Sequence, residues 1–165
     1  IACLDLVLTK NPSIRRVHLS GGSHGGYLGA ILSSRYPDRF ATVTLLNPVI
    51  SVVGMTLVSD ISDYEWAIYG LEYDMTRPRP PTVSELALFH ERSPQPNGII
   101  PPTLVLLGAQ DRRVPPANGI AWCGWLRSLG CPVRCLQFPM SNHALEEPEA
   151  ELSVVRESLK WMRRP

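Results

Sequence analysis

Four short runs rich in β-branched and aliphatic residues alternate with segments of helical period, and this alternation restricts the fold more than any other feature. The runs are Arg16 to Ser20, Ala41 to Leu46, Thr103 to Leu107 and Val133 to Phe138, each closed by Gly, Pro or Asn-Pro. Between and after them, Gly25 to Tyr36, Pro116 to Leu129 and Glu147 to Met162 repeat apolar residues at helical spacing. The expected stripes are Tyr27, Leu28, Ile31 and Leu32; then Ile120, Ala121, Trp122, Trp125, Leu126 and Leu129; then Leu152, Val155, Leu159 and Met162. Strands that alternate with helices predict a mostly parallel sheet covered on both faces, the α/β class. Ile1 to Leu8 reads as the last turns of a helix ended by Asn11 and Pro12.

Val49 to Pro102 is too long for a plain crossover and reads as an insertion over the carboxyl edge of the sheet, where α/β proteins place ligand sites. Within it, Thr82 to His90 predicts a helix and the proline-rich Arg77 to Pro81 an extended loop.

The chain has 165 residues, 44% of them hydrophobic, enough for one domain with a real core. Its 16 basic and 15 acidic residues leave a charge of +1, so no field of one sign favours nucleic acid or an anionic membrane. The longest apolar stretch, Leu45 to Val58, is broken by polar residues and Pro48, which argues against a membrane span. Cys3, Cys123, Cys131 and Cys135 form no CxxC pair and read as reduced, packed thiols, pointing to a cytoplasmic protein. No signal peptide and no initiator Met precede Ile1, so the expectation is a piece of something longer.

The chemistry lies in Gly21-Gly22-Ser23-His24-Gly25-Gly26, a GxSxG sequence set between the first strand and its helix. A serine there sits on a strained turn that lifts its hydroxyl above the sheet edge, with Gly21 and Gly25 expected to supply the room. The following helix points its amide groups at the site, making the His24 N–H one donor to an oxyanion. Phosphate loops are the competing explanation of such glycines, but neither GxxxxGK[ST] nor GxGxxG is present.

A serine hydroxyl needs a base to take its proton and an acid to orient that base. Asp111 follows the third strand and His143 the fourth, so the order Ser, Asp, His falls at three strand ends. Taken singly, Asp111 is an ordinary turn residue and His143 an ordinary loop residue; their coincidence with Ser23 makes the case. His18 lies inside a strand and reads as a hydrogen-bonded packing residue, and His90 as a surface residue of the inserted helix. Asp60 and Asp63 are expected to cap helices of the insertion.

These residues resemble a known family. GGSHGGY from Gly21, Asn47-Pro48-Val49-Ile50, Asp60-Ile61-Ser62-Asp63-Tyr64, Asp111-Arg112-Arg113-Val114-Pro115 and Ser141-Asn142-His143-Ala144-Leu145 are similar to the catalytic domain of the acylaminoacyl-peptidase branch of the prolyl oligopeptidase family. The resemblance implies the C-terminal portion of an α/β-hydrolase fold over residues 1–165, with the insertion at about 49–102 and with the first strands and the family's β-propeller absent. It implies Ser23 as nucleophile, His143 as general base and then acid, Asp111 as its orienting partner, and Arg113 as a group that holds a substrate carbonyl. The implied substrates are short N-acylated peptides, from which an N-acylated amino acid is released.

Neither metal nor cofactor is expected, since this chemistry needs none; no nucleic acid or membrane partner is expected, and a homo-oligomer of the full-length protein stays open. Without the first strands a sheet edge and apolar helix faces are left uncovered, and without the loop that supplies the second oxyanion donor the site is incomplete, so the isolated 165 residues are expected to fold marginally and to hydrolyse weakly or not at all. Two other readings remain beside the first: another serine hydrolase on this scaffold, such as an oligopeptidase or carboxylesterase, and an inactive truncated segment.

Overall fold

The computed structural model describes residues 1–96 and 98–164. In chain order the elements are α1 (Ala2–Lys10), β1 (His18–Gly22), α2 (His24–Arg35), β2 (Thr42–Leu46), α3 (Val52–Val58), α4 (Ser62–Ile68), α5 (Val83–Arg92), β3 (Thr103–Gly108), α6 (Ala117–Ser128), β4 (Val133–Phe138) and α7 (Pro148–Met162). The four strands form one parallel sheet in the order β1-β2-β3-β4, with Gly22 opposite Leu46, Leu46 opposite Leu106 and Gly108 opposite Phe138. This register aligns the carboxyl ends of the strands, and the candidate residues follow those ends.

Side chains alternate across the sheet as the strand period demands. Val43, Leu45, Val105 and Leu107 pack on one face with Ala30 of α2 and Trp122 and Leu126 of α6. Leu104 and Leu106 pack on the other with Trp161 of α7, joined by Leu136, Phe138 and Val154. Helices thus cover both faces. Trp161 also donates from Nε1 to the Pro102 carbonyl at 3.0 Å, tying α7 to the start of β3.

The strands and the helices α2, α5, α6 and α7 lie where the pattern puts them, but three helical faces do not: on α2 the small residues Gly26, Gly29, Ala30 and Ser33 are buried, letting the helix lie close to the sheet, while Leu28 of the expected stripe is exposed. On α7 the stripe Leu152, Val155 and Leu159 is exposed, whereas Ala150, Glu157 and Trp161 are buried. A second stripe, Ala150, Val154, Glu157 and Trp161, has the same helical spacing and wins because it buries the large indole. Glu157 is tolerated there because its carboxylate pairs with Arg134, Arg156 and Lys160 at 2.8, 3.3 and 3.1 Å. On α6, Trp122 and Leu126 are buried while Ile120, Trp125 and Leu129 are exposed, so the inward stripe is narrower than expected.

The segment between β2 and β3 carries two helices that the periodicity did not predict, α3 and α4, besides α5. Trp66 of α4, Val52 of α3 and Phe89 of α5 form a small core of their own, with the rings of Trp66 and Phe89 edge to face at 5.4 Å. α5 begins with a capping box: Thr82 accepts from the Glu85 N–H, and the Glu85 carboxylate accepts from the Thr82 N–H. Neither Asp60 nor Asp63 caps a helix; the residue preceding α4 is Ile61, without a side-chain cap, and α3 is capped by Ser51. Among the described residues no helix is long and apolar enough to cross a membrane. All four cysteines are unbridged; Cys123 and Cys131 are buried, but Cys3, expected to pack, is exposed.

Candidate active site

Ser23 is the hinge between β1 and α2, and its backbone is left-handed, with φ 55° and ψ −121°. A non-glycine residue adopts that conformation only when its surroundings impose it. Here the Ser23 N–H donates to the Leu46 carbonyl at 2.8 Å, and its own carbonyl accepts from Tyr27 N at 3.1 Å and from Val49 N at 3.4 Å. The steric reason for glycine lies at Gly21, where a Cβ would stand 2.3 Å from the Gly25 carbonyl oxygen. At Gly25 a Cβ would meet nothing within 4 Å, so the expectation that this glycine makes room for the turn is corrected: its carbonyl needs Gly21 bare.

Asp111 follows β3 and is buried, its side chain wholly screened from solvent. Its Oδ1 accepts from the amides of Arg113 at 2.9 Å and Val114 at 3.0 Å, which fixes the carboxylate. The other oxygen, Oδ2, lies 2.7 Å from Nδ1 of His143. A buried carboxylate so placed selects the imidazole tautomer with hydrogen on Nδ1 and leaves Nε2 free to accept a proton.

The His143 loop reaches this position by crossing the end of β3 closely. A Cβ on Gly108 would stand 2.1 Å from the Asn142 carbonyl oxygen, so no larger residue fits. The Gln110 N–H donates to the Ser141 carbonyl at 2.9 Å. One residue beyond the reasoning on the three strand ends also belongs here: Asn47, 2% exposed and itself at positive φ (41°). Its Nδ2 donates to the His143 carbonyl at 2.9 Å, and its Oδ1 accepts from Gly108 N at 2.8 Å. The sequence shows Asn47 as an Asn-Pro strand stop and as the start of the family-like stretch Asn47 to Ile50, neither of which gives it this role.

The structure therefore joins Asp111 to His143 and brings Ser23 and its neighbours to the same edge of the sheet. Among the described residues no hydrogen bond joins Ser23 to His143. Ser23 lines a cavity of about 80 Å³ with His24, Met55 and Glu65, and His143 lines a neighbouring one of about 380 Å³ with Asp111 and Asn142; Arg113 borders both.

Arg113 is half-exposed, its Nε 3.5 Å from Asp60 Oδ1. The same junction holds α3 and α4 over the site, because Ser59 Oγ donates to the Arg113 carbonyl at 2.7 Å and Asp60 N to that of Arg112 at 3.1 Å. His24 stacks its ring on Tyr27, centroids 5.2 Å apart. His18 hydrogen-bonds Thr42 Oγ1 at 2.8 Å, and burial, with the Arg16 charge second, lowers its pKa, as suits a packing residue. His90 is exposed on α5.

A strand-turn-helix serine and a carboxylate-imidazole pair on the carboxyl edge of a parallel sheet define an α/β-hydrolase. The fold resembles that of the uncomplexed acylaminoacyl peptidase of Pyrococcus horikoshii, with a TM-score of 0.80 at 18% identity, covering 98% of this chain and 26% of that one. The chain matches the prolyl oligopeptidase family over residues 1–165, and it belongs to that family. Its sequence is 36% identical over 153 residues to the acylamino-acid-releasing enzyme of Rattus norvegicus, covering 90% of this chain and 20% of that protein. The enzyme of the same name from Arabidopsis thaliana is 35% identical over 139 residues, covering 82% and 18%. The chain thus spans about a fifth of the length of these curated relatives.

Proposed function

We propose that the chain is the C-terminal part of the catalytic domain of a serine peptidase that removes an N-acylated amino acid from the blocked end of short peptides. Residues 49–102 form the insertion of that domain. The observation that carries the reading is the 2.7 Å pair between His143 Nδ1 and the buried, doubly amide-bound Asp111. Kinship to enzymes named for releasing acylamino acids supports the choice of substrate, and the four unbridged cysteines favour a cytoplasmic site of action.

In this reading His143 Nε2 takes the Ser23 proton as Oγ attacks the carbonyl of the acylated first residue. The charge that develops on oxygen is met by the His24 N–H at the start of α2 and by the helix dipole. His143 then hands its proton to the departing amine, and the shortened peptide leaves. Water, deprotonated by the same imidazole, attacks the ester on Ser23 and frees the N-acylated amino acid, restoring the hydroxyl. Asp111 stays ionised throughout and steadies the imidazolium. Arg113, bordering both cavities, is positioned to hold a substrate carbonyl with its fork of donors.

The test is made on the full-length protein. A fluorophosphonate should label Ser23 and nothing in Ser23→Ala, and N-acetylated peptide p-nitroanilides should be cleaved in preference to free-amine peptides and simple esters. Equal or better cleavage of free-amine peptides or esters would move the assignment to another serine hydrolase, and absence of labelling would end the enzymatic reading.

A further inference from the structure

The cavity beside Ser23 has an apolar wall of Val49, Met55, Ile61 and Val114, and one acidic residue, Glu65 of α4, lines it as well. Glu65 is 2% exposed, and its Oε2 has no hydrogen-bond partner. Among the described residues no lysine or arginine lies within ion-pair distance of it; Arg113, on the same cavity, is engaged with Asp60. Polar groups buried in this way are rare because each forfeits the hydrogen bonds it had in water. The mechanism above gives Glu65 no task, and its side chain neither caps α4 nor bridges it to another element. An acceptor without a donor, buried at the rim of a reacting serine, is a group whose partner arrives with the substrate.

We infer that Glu65 is a specificity-determining residue: its carboxyl accepts a hydrogen bond from the side chain of the residue whose carbonyl Ser23 attacks, favouring residues with a hydroxyl, amide or ammonium donor over apolar ones of the same shape. The inference rests on the peptidase reading and adds the substrate class to it. Either protonation state keeps an acceptor oxygen on the carboxyl. A volume of about 80 Å³ suits a short side chain, so threonine against valine is the first comparison. Sites built around a buried polar group penalise an analogue that cannot pair with it far more than they penalise a missing methylene.

The experiment measures kcat/KM of the full-length protein on N-acetyl-threonine and N-acetyl-valine p-nitroanilides, and on the lysine and norleucine pair, which separates a cationic donor from a neutral one. Wild type should prefer the donor-bearing member of at least one pair by about tenfold or more. Glu65→Met should bring that ratio to about one by raising the apolar substrate and lowering the other, while a fluorophosphonate still labels Ser23 at the wild-type rate. A ratio unchanged in Glu65→Met with labelling intact overturns the inference and leaves the peptidase reading standing. Failure of wild type itself to be labelled overturns the peptidase reading, and the inference with it. Should Glu65→Met lose labelling, Glu65→Gln compared at about pH 9, above the Glu65 pKa of about 7, decides: against the ionised carboxylate an uncharged amide is the weaker acceptor, so the ratio should fall about threefold or more, and an unchanged ratio overturns the inference.

Discussion

Asn47 holds His143 by its main chain and not by its ring: the carboxamide at the end of β2 donates to the His143 carbonyl at 2.9 Å and accepts from Gly108 N at 2.8 Å. A single buried side chain thus fastens the loop after β4 to the last residue of β3. Asn47 touches no reacting atom and is a positioning residue. Asn47→Ala should cost about 1–3 kcal/mol of stability, since it orphans the Gly108 N–H. It should also lower kcat by about ten- to a hundredfold with little change in KM, because substrate binding does not use it. Denaturant unfolding and steady-state kinetics check the two halves; a KM effect with kcat intact would contradict the positioning role.

The strained backbone of Ser23 predicts a trade of stability for chemistry. Ser23→Gly should abolish turnover, by a factor on the order of 10⁶ if serine and histidine act as a unit. The same change should stabilise the fold by about 1 kcal/mol or more, since glycine accepts φ 55° without penalty. Thermal unfolding of wild type, Ser23→Ala and Ser23→Gly reads this directly, with only the glycine variant gaining.

Gly21 and Gly25 should respond in opposite ways although they flank the same serine. Gly21→Ala places a methyl 2.3 Å from a backbone oxygen and should cost about 1–3 kcal/mol or prevent folding. Gly25→Ala meets open space in the first turn of α2 and should be neutral or stabilising by up to about 1 kcal/mol. Equal losses in the two variants would contradict the contact described.

Burial raises the Glu65 pKa from 4.5 to about 7. In the unfolded chain this carboxyl gives up its proton near 4.5, and in the folded chain only near 7, so between these values the folded state binds more protons and stability falls as pH rises. Glu65→Gln cannot ionise and should lack this slope. The stability of wild type relative to Glu65→Gln should therefore decline across that window, by roughly 3 kcal/mol at most. Chemical denaturation of both proteins at several pH values checks it; a difference that rises with pH would reverse the assignment.

What the sequence discloses and what it conceals divide along physical lines. The four strands and α2 are legible because glycine and proline end them sharply and their apolar period is clear, and the three strand-end residues follow from that frame. α3 and α4 are concealed because seven residues span barely two turns, too few for a stripe, and Val52–Val58 is β-branched enough to read as extended. α7 carries two apolar stripes of equal spacing, and only packing against Pro102 and Leu104 decides which turns inward. Asn47 is visible as a strand stop, yet its partner lies 96 residues away, beyond any local pattern. Glu65 carries no sequence signal of its burial, since α4 itself is concealed and only the fold closes over it.

The strands lie in the sheet in the same order in which they occur along the chain. During synthesis each of these four can settle beside the one made before it, with no later strand needing to wedge between earlier neighbours. Ser23 follows the first of them and His143 the last, so in the proposed mechanism a chain still leaving the ribosome would carry its nucleophile before its base. On the proposed mechanism the reactive set would be complete only once β4 and the loop after it had been made.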